Sequence, residues 1–301
     1  MASETQRVEL RLKGGLGNQL FQWSAADRIA VSLGGRVEID VSHFAEDPYK
    51  RMVHIGRICD VSVINDPDVS GGAPSADVAV ISESPEFLEL VAGLEYTCSR
   101  SLPFRRLIVD GYWQDSRIPN EVQCEAISAS IEKILLLSYS GWLRCLTSAK
   151  LPVGFHVRRS DYLHHGVADP SFYICAAQAI RKQASDAVFF VFSDEPNFCE
   201  WLFGSNGIPI RIVNTGDDVA DLGLLSRCSV HVLSNSTFSW WGARLSRSRR
   251  VVVPLPWSFI HTPSEHLLPK HWVSVEGVVK SLTMHREFSS RLDHSFKELR
   301  L

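Results

Sequence analysis

The stretch Val153-Gly154-Phe155-His156-Val157-Arg158-Arg159-Ser160-Asp161-Tyr162 lies just past the midpoint of the 301-residue chain. Its first half is a short apolar run rich in β-forming residues, which predicts a strand that ends in two arginines and an aspartate. Ligands of open α/β sheets bind beyond the carboxyl ends of the strands. Because a guanidinium group matches phosphate oxygens two at a time, the paired arginines indicate an anionic ligand. A strand that simply ends in solvated charges is the alternative that this stretch leaves open.

The segments that follow alternate between strand and helix patterns. Further strands are predicted at residues 187–192, 208–213, 230–233 and 250–253, and helices at residues 171–184, 195–203, 217–228 and 236–245. Strict alternation of this kind predicts a parallel sheet that is covered by helices on both faces. The second half of the chain is therefore expected to be an α/β domain.

The first half opens on a similar unit. A strand pattern at residues 8–13 runs into Gly14-Gly15-Leu16-Gly17-Asn18-Gln19, a helix pattern continues to Leu33, and residues 36–40 predict a second strand. The glycine-rich turn is not a dinucleotide fingerprint, because Leu20 stands where the third glycine is required. Glycines and the amides of a helix N-terminus still favour an anion there, whereas a tight turn without a ligand is the simpler reading.

The rest of the first half is less regular. We predict a loop at residues 41–77, strands at 78–82 and 107–112, a helix from Ser84-Pro85 to Gly93, a helix at 120–137 and a linker at 142–152. Since the chain exceeds the usual single domain, two domains of roughly 150 residues are expected. Two sheet-containing halves suggest α/β domains with a ligand cleft between them.

Composition excludes several classes of protein. The net charge of −3 lacks the basic excess of a nucleic-acid binder. Seven cysteines without a CxxC pair indicate reduced thiols and no zinc site. The polar residues 1–6 do not resemble a signal peptide, and no apolar run is long enough to span a membrane. We therefore expect a cytoplasmic protein, with peripheral membrane association left open. A kinase or ATPase is excluded because no P-loop motif occurs.

Two more stretches place polar side chains at predicted strand ends. Asn235, Ser236 and Thr237 stand between a strand and a helix, where hydroxyls and free amides meet the positive end of the helix dipole. This is a phosphate cradle without lysine, or an ordinary helix cap. Ser193 and Asp194 could hydrogen-bond a sugar or a base, and an acidic helix start is the equally simple alternative.

These stretches together resemble the motifs of the family 11 glycosyltransferases, the α-1,2-fucosyltransferases of bacterial type. The resemblance spans residues 8–257, in the right order, and rests on the motifs at residues 14–22, 156–162, 193–194 and 234–243. It implies a GT-B-like fold of two facing Rossmann-like domains with parallel sheets and an interdomain cleft. Residues 1–150 would be the acceptor-side domain, residues 151–284 the GDP-fucose-binding domain, and residues 285–301 a helix that packs back on the body.

The resemblance also implies an activity, the inverting transfer of fucose from GDP-fucose to the 2-hydroxyl of a galactoside. Its catalytic residues would be Arg158, which contacts the β-phosphate, with Asp161 and His156. The implied donor-binding residues are Gly15, Gly17, Asn18, Gln19, His156, Arg158, Arg159, Ser193, Asp194, Asn235, Ser236 and Thr237. The weaker acceptor-binding set is Tyr112, Trp113, Gln114 and Asp115. Ser160 and Arg244 depart from the family pattern, where glycine and tryptophan are commoner.

No cofactor is expected besides the co-substrate, because arginines and a helix N-terminus supply the positive charge. Asp66-Pro67-Asp68 spells a D-x-D sequence, but it stands in the irregular loop and no metal is expected there. The implied partners are GDP-fucose and a galactoside-terminated oligosaccharide or lipid-linked glycan of bacterial surface-glycan biosynthesis.

The general base stays open at this point among Asp161, Asp115, His164 and His165, with a path that uses no protein base as a further alternative. Two other functions also remain, a fucosyltransferase of α-1,6 regiochemistry and a nucleotide-sugar-binding module without turnover.

Overall fold

A computed structural model describes residues 7–64, 78–94, 106–162, 166–260 and 262–279. The chain forms two compact units. Unit 1 comprises residues 1–130 and 264–268, and unit 2 comprises residues 131–263 and 269–301. Asp66, Asp68, His164, His165 and the helix predicted at residues 285–301 lie outside the described residues.

Unit 1 is an α/β unit with a parallel sheet. Its elements are β1 (Arg7–Arg11), α1 (Leu16–Ser32), β2 (Arg36–Asp40), β3 (Ser62–Ile64), β4 (Val78–Ser82), α2 (Pro85–Ala92), β5 (Arg106–Asp110) and the first part of α3 (Glu121–Ser138). The strand order is β3-β2-β1-β5-β4, and every neighbouring pair is parallel. The strands at residues 36–40 and 78–82 are confirmed with the predicted bounds. The Ser84 hydroxyl accepts the Phe87 amide at 3.3 Å and caps α2, as the Ser-Pro pair predicts.

The predicted loop at residues 41–77 is wrong in part. It contains two 3-10 turns, Ser42–Ala45 and Ile55–Arg57, and the edge strand β3, whereas residues 65–77 lie outside the described residues. A three-residue strand is too short to show a hydrophobic period, so only pairing with β2 reveals it.

Unit 2 contains the longer sheet. After the end of α3 come α4 (Ser140–Thr147), β6 (Leu151–Val157), β7 (Val167–Ala168), α5 (Pro170–Gln183), β8 (Ala187–Ser193), α6 (Pro196–Gly204), β9 (Ile210–Val213), α7 (Asp218–Leu225), β10 (Val230–Val232), α8 (Thr237–Ser246), β11 (Val251–Leu255), β12 (Val273–Glu276) and β13 (Val278–Val279). The six-stranded sheet has the order β12-β11-β10-β6-β8-β9 and is parallel throughout. A separate antiparallel pair joins β7 to β13. The predicted alternation of strands and helices is confirmed.

The predicted linker at residues 142–152 is wrong. Most of it is the helix α4, and β6 begins already at Leu151. Leu146 is completely buried, so the short helix is held by packing that its few residues cannot reveal as a pattern. The boundary between the two units falls inside α3, at residues 130 and 131, and not at residues 150 and 151.

In the core of unit 2, aromatic side chains pack against Phe155 of β6. Phe155 meets Phe189 and Phe203 in edge-to-face contacts, with ring centroids 5.3 and 5.4 Å apart. On the same strand, a side chain at Gly154 would place its Cβ 2.7 Å from Cδ1 of Leu225. The strand and the end of α7 can therefore approach this closely only with glycine at position 154.

Candidate active site

Three turns meet at the carboxyl edge of the sheet in unit 2. In the register of the parallel strands, Val157 of β6 lies beside Ser193 of β8, and Phe155 lies beside Val232 of β10. The segments that follow these three strands therefore emerge side by side, although 78 residues separate His156 from Ser234. These are the segments that carry the predicted arginine, Ser-Asp and hydroxyl motifs, so the sheet brings together all of the predicted site residues that belong to unit 2.

Asp194 organises the turn after β6. Its carboxylate accepts the backbone amides of Arg159 at 3.2 Å and Ser160 at 3.0 Å, and the Ser160 hydroxyl at 2.5 Å. The same carboxylate lies 3.4 Å from Nε of Arg158, whose guanidinium is 5.7 Å from the centroid of the Tyr162 ring. The Arg158 side chain keeps 31% of its surface exposed. Asp194 thus holds an arginine that remains accessible at the edge of the sheet.

Arg159 occupies a different environment from its neighbour. Its Nε donates to Glu195 at 2.9 Å, its guanidinium carbon lies 3.7 Å from the centroid of the Phe198 ring, and only 12% of the side chain is exposed. Both partners belong to the start of α6, so Arg159 fastens the turn to that helix. The two adjacent arginines therefore differ in what they can offer a ligand, and Arg158 is the more accessible.

His156 is a buried, neutral imidazole. Its Nδ1 lies 2.7 Å from the Ser234 hydroxyl oxygen, and its ring stacks on Phe238 with centroids 5.1 Å apart and planes at 28°. Burial, and then the charge of Arg158, lower the pKa of His156 to about 3, while Asp194 and Asp218 act in the opposite direction. Since Phe238 is the second residue of α8, His156 lies against the N-terminus of this helix.

The predicted hydroxyl cradle is built from capping interactions. Ser236 caps α8, with its hydroxyl accepting the Phe238 amide at 3.3 Å. Asn235 uses its amide nitrogen to bind the carbonyls of Gly166 and Trp257, both at 3.0 Å, and within the described residues nothing donates to its buried Oδ1. Ser193 likewise accepts the backbone amide of Glu195 at 2.9 Å. These side chains therefore hold the fold of the turns, whereas the Arg158 guanidinium stays partly exposed.

The glycine-rich turn of unit 1 precedes α1, with Gly15 at the N-cap position. Gly14 has a φ of +79°, and a Cβ there would lie 2.7 Å from the Asn18 amide nitrogen, so both the conformation and the close approach require glycine. Gln19 is fully buried and uses its whole amide group: it binds the carbonyls of Gly14 and Met52 and accepts the His54 amide. Gln19 therefore links the turn after β1 to the loop that contains Met52 and His54.

The predicted acceptor residues lie beyond the carboxyl end of β5 in unit 1. Trp113 is buried with a φ of +55°, and the Gln114 amide donates to Asn18 at 3.0 Å. Tyr112 is 42% exposed, with Nζ of Lys13 5.1 Å from its ring centroid. Of the four predicted acceptor residues, Tyr112 presents the largest exposed surface that the structure reports.

Asp115 is committed to a structural network. Its buried carboxylate accepts three hydrogen bonds from Arg117, at 2.8 to 3.0 Å, and one from the Ser264 hydroxyl at 2.7 Å. Burial acts to raise the pKa of Asp115, but these hydrogen bonds hold it below its usual value. A carboxylate so engaged is a poor proton acceptor, so these contacts favour a structural role for Asp115 over that of a general base.

Three residues of unit 2 that contact predicted site residues were not predicted individually: Ser234 and Phe238, which contact His156, and Glu195, which binds Arg159. Ser234 and Phe238 belong to the motif at residues 234–243, but the sequence contains no signal that pairs them with His156. Such a signal would require the neighbour relation between β6 and β10. Asp161 lies in a 3-10 turn, Ser160–Tyr162. The assignment of the general base to Asp161, to His164 or His165, or to no protein group stays a prediction.

In the part of the chain that the structure describes, no three histidine, cysteine or acidic side chains are grouped so as to hold a metal ion. Among these same residues, no helix is long and apolar enough to cross a membrane.

The known proteins that this chain resembles are glycosyltransferases. The model of the family Glycosyl transferase family 11 matches residues 140–275. The alpha-1,2-colitosyltransferase of Escherichia coli is 25% identical over 89% of this chain and 99% of its own length. The galactoside alpha-(1,2)-fucosyltransferase 2 of Bos taurus is 27% identical, over 44% of this chain and 43% of its own length.

Among solved structures, the fucosyltransferase NodZ from Bradyrhizobium superposes with a TM-score of 0.51 at 18% identity, over 83% of this chain and 95% of that chain. At this identity the likeness concerns the fold. The predicted GT-B-like class, two Rossmann-like units with parallel sheets, is confirmed.

Proposed function

We propose that this chain, which belongs to glycosyltransferase family 11, transfers L-fucose from GDP-β-L-fucose to the 2-hydroxyl of a terminal β-galactoside, with inversion at the anomeric carbon. The observation that carries the proposal is the arrangement of Arg158. It stands at the carboxyl end of β6, held by Asp194, in a turn that emerges beside the start of α8. This is where a parallel α/β sheet binds a nucleotide.

The chemistry requires positive charge at this place. When the bond between the anomeric carbon and the phosphate oxygen breaks, its electron pair leaves with GDP, and the sugar acquires oxocarbenium character. A fixed guanidinium stabilises the charge that develops on the β-phosphate. The amides at the N-terminus of α8 add a partial positive charge. The acceptor hydroxyl then attacks from the opposite face and releases its proton.

The same arrangement supports a transfer that needs no metal. The positive charge comes from Arg158 and from the helix N-terminus, so a divalent cation has no required part in the departure of GDP. Undiminished activity in EDTA is the expected result. Activity that disappears in EDTA and returns with manganese would contradict this part of the proposal.

Unit 1 would bind the acceptor with exposed aromatic rings. Gln19 joins the carbonyls of Gly14 and Met52, which brings the segment of Tyr49 next to the turn that follows β1. Tyr49 is 52% exposed, and Tyr112, at the end of the neighbouring β5, is 42% exposed. Aromatic rings with a polar edge suit the apolar face and the hydroxyls of a hexose. The acceptor would be a galactoside-terminated glycan of surface-glycan biosynthesis, either free or lipid-linked. A lipid-linked acceptor would require the protein to bind at the membrane surface.

A second candidate function is favoured by one comparison. The match to the alpha-1,2-colitosyltransferase covers almost the whole of both proteins, whereas the match to the bovine fucosyltransferase covers less than half of each. Colitose is fucose without its 3-hydroxyl group. A site that hydrogen-bonds this hydroxyl would reject the deoxy sugar strongly, whereas a site without such a bond would discriminate weakly.

The deciding experiment compares two donors with one acceptor panel. GDP-fucose and GDP-colitose are each incubated with lactose, N-acetyllactosamine and a matching 2-deoxygalactoside, and kcat/KM and the NMR spectrum of the product are measured. We expect an α-1,2-linked fucoside and no product from the 2-deoxy acceptor. Preference for GDP-colitose would establish the second candidate, and an α-1,6 product would overturn the proposed regiochemistry. Binding of GDP-fucose without GDP release on any acceptor would indicate a module without turnover.

A further inference from the structure

The hydrogen bond between His156 and Ser234 bears on which nitrogen of the imidazole ring carries the proton. Ser234 is fully buried, and its hydroxyl oxygen lies 2.7 Å from Nδ1 of His156. The imidazole ring is held by its stacking on Phe238, and the backbone of Ser234 lies within reach of the Ser239 hydroxyl, which is 2.9 Å from the Ser236 carbonyl and 3.1 Å from the Ser234 carbonyl. Both partners are therefore held in one orientation at the start of α8.

The direction of this hydrogen bond follows from the hydroxyl group. A serine hydroxyl has one hydrogen to donate, and within the described residues Nδ1 of His156 is the acceptor that the Ser234 hydroxyl reaches. If Nδ1 carried the ring proton, Ser234 would have to accept it, and its own hydrogen would be buried without a partner. An unpaired buried donor loses its hydration without compensation. The hydroxyl therefore donates to Nδ1.

We infer that Ser234 is a positioning residue that holds His156 as the Nε2–H tautomer, so that His156 serves as a hydrogen-bond donor toward the nucleoside diphosphate and not as a proton acceptor. The identity of this ligand rests on the proposed function. The tautomer itself does not, because it follows from the contact with Ser234 alone.

The surroundings of the ring agree with this role. Arg158 stands two residues along the chain, and it disfavours a second proton on the imidazole, whereas the carboxylates of Asp194 and Asp218 act in the opposite direction. A neutral ring that presents an N–H beside a guanidinium matches an anion, since both groups donate. A ring that is so difficult to protonate is also a weak base near neutral pH, which removes His156 from the groups able to take the acceptor proton.

The tautomer can be read directly by NMR. The protein is labelled with 15N-histidine, and the His156 signals are assigned by their disappearance in His156→Gln. The wild type should show the Nε2–H pattern, unchanged from pH 8 to pH 5. Ser234→Ala should convert it to a mixture of tautomers. Ser226→Ala is the matched control, because it removes another buried hydroxyl of unit 2, which donates to the Gly223 carbonyl and touches neither the imidazole nor Ser234, and the His156 pattern should stay as in the wild type.

Binding of GDP, measured by calorimetry, tests the consequence. In His156→Gln the amide nitrogen replaces Nε2–H, and the affinity should fall less than about threefold. In His156→Asn the amide corresponds to Nδ1, and the affinity should fall at least tenfold. In Ser234→Ala part of the molecules keep the Nε2–H tautomer, so the affinity should fall by about twofold to fivefold. Thermal unfolding of each variant shows whether it folds. If Ser234→Ala does not fold, Ser234→Cys replaces it, because cysteine keeps the volume and a weak donor.

Three outcomes overturn the inference: an Nδ1–H pattern in the wild type, an unchanged pattern in Ser234→Ala, or equal loss of GDP affinity in the Gln and Asn variants. If the pattern is as expected but the wild type does not bind GDP, the positioning role of Ser234 stands. The identity of the ligand then fails together with the proposed function.

Discussion

The carboxylate of Asp194 lies 3.4 Å from Nε of Arg158 and at the same time accepts the backbone amide of Ser160 at 3.0 Å. One side chain thus sets both the path of the turn after β6 and the charge environment of the arginine at its start. Preorganised charge is effective in catalysis because it does not have to reorient during the reaction. If Arg158 acts as proposed, Asp194 and Arg158 work as one pair, whose contributions can be separated by substitution.

Replacement of Arg158 by alanine should abolish transfer while the fold is kept. Loss of one preorganised group that stabilises developing charge costs about 3 kcal/mol, which lowers kcat by roughly 100-fold or more. The measurement is kcat with GDP-fucose and a galactoside, with circular dichroism as a check of folding. Lys182→Ala removes an exposed cation at the end of α5 and should retain wild-type activity. An Arg158→Ala enzyme that keeps more than about a tenth of the wild-type kcat would exclude the assigned role.

Replacement of Asp194 by alanine should weaken donor binding and transfer together. The amides of Arg159 and Ser160 lose their acceptor, and Arg158 loses its carboxylate partner. Hydrogen bonds to a charged group contribute about 1.5 to 3 kcal/mol, so the KM for GDP-fucose should rise roughly tenfold or more. Asp194→Asn, which keeps one acceptor oxygen, should fall between the wild type and the alanine variant. Equal kinetics for all three proteins would show that the turn keeps its form without this carboxylate.

Replacement of Asp221 by asparagine should stabilise the protein at alkaline pH. Burial raises the pKa of Asp221 to about 6, with the charges of Asp218 and Asp217 adding to it against hydrogen bonds from Thr215. Because the folded pKa lies above the unfolded value, the folded state binds the proton more tightly. The resulting stability is present below about pH 4 and is lost as the pH rises through about 6. Ionised Asp221 then costs up to about 3 kcal/mol at pH 8.

Urea unfolding of the wild type and Asp221→Asn at pH 4, 6 and 8 measures this effect. The asparagine oxygen can still accept the Thr215 amide, which Asp221 binds at 3.1 Å. The gain in the free energy of unfolding should grow with pH and vanish near pH 4. Glu200→Gln, a change of an exposed carboxyl on α6, should give no such dependence. A gain that is the same at every pH would mean that the charge of Asp221 is not its source.

Replacement of Gly242 by alanine should destabilise unit 2 although alanine is the better helix former. The new Cβ would lie 2.5 Å from Cδ2 of Leu225, so α8 and the end of α7 would have to separate. Overpacking of a core costs about 1 to 3 kcal/mol, against a gain in helix propensity of about 1 kcal/mol. In Gly141→Ala, on α4, the new Cβ meets nothing within 4 Å, and thermal unfolding should show a small stabilisation. Equal effects of the two substitutions would contradict the close packing at Gly242.

Replacement of Tyr112 by alanine should raise the KM for the acceptor. The exposed ring would lose its contact with the hexose, whereas the KM for GDP-fucose should stay within about twofold of the wild type, because the donor contacts are assigned to Arg158 and its neighbours. A loss of about 1.4 kcal/mol, which is within the range of an aromatic contact, corresponds to a tenfold rise. Trp201→Ala, which removes an exposed ring of unit 2, should change neither constant. A rise in the donor KM instead would place Tyr112 at the nucleotide.

Most of the strands and helices could be predicted from short stretches of the sequence. The period of apolar residues marked nearly every strand of both sheets, and the hydroxyls of Ser84 and Ser236 marked two helix starts where the structure finds them. These signals reside in a few consecutive residues. Elements too short to show a period, such as β3 and α4, were missed, because pairing with β2 and burial of Leu146 hold them in place.

Side-chain partners were harder to predict than elements. Arg158 and Arg159 are chemically identical neighbours, yet one lies beside Asp194 with much of its surface exposed and the other packs on Phe198. Gln19 and Asp115 have residue types that suit ligand binding or catalysis, but other loops use up their hydrogen-bonding groups. Residue type states what a group can do, and only its neighbours determine what it is able to offer a ligand.

The sequence by itself determined that the chain forms parallel α/β units and that an arginine-rich turn follows the first strand of the second unit, because strand period, helix period and caps are local properties. The tertiary structure decided which groups of that turn remain available. The order β10-β6-β8 places Ser234 against His156 and Asp194 beside Arg158, across 78 and 36 residues of sequence. Strand order is set by the packing of the whole sheet, and no local pattern contains it.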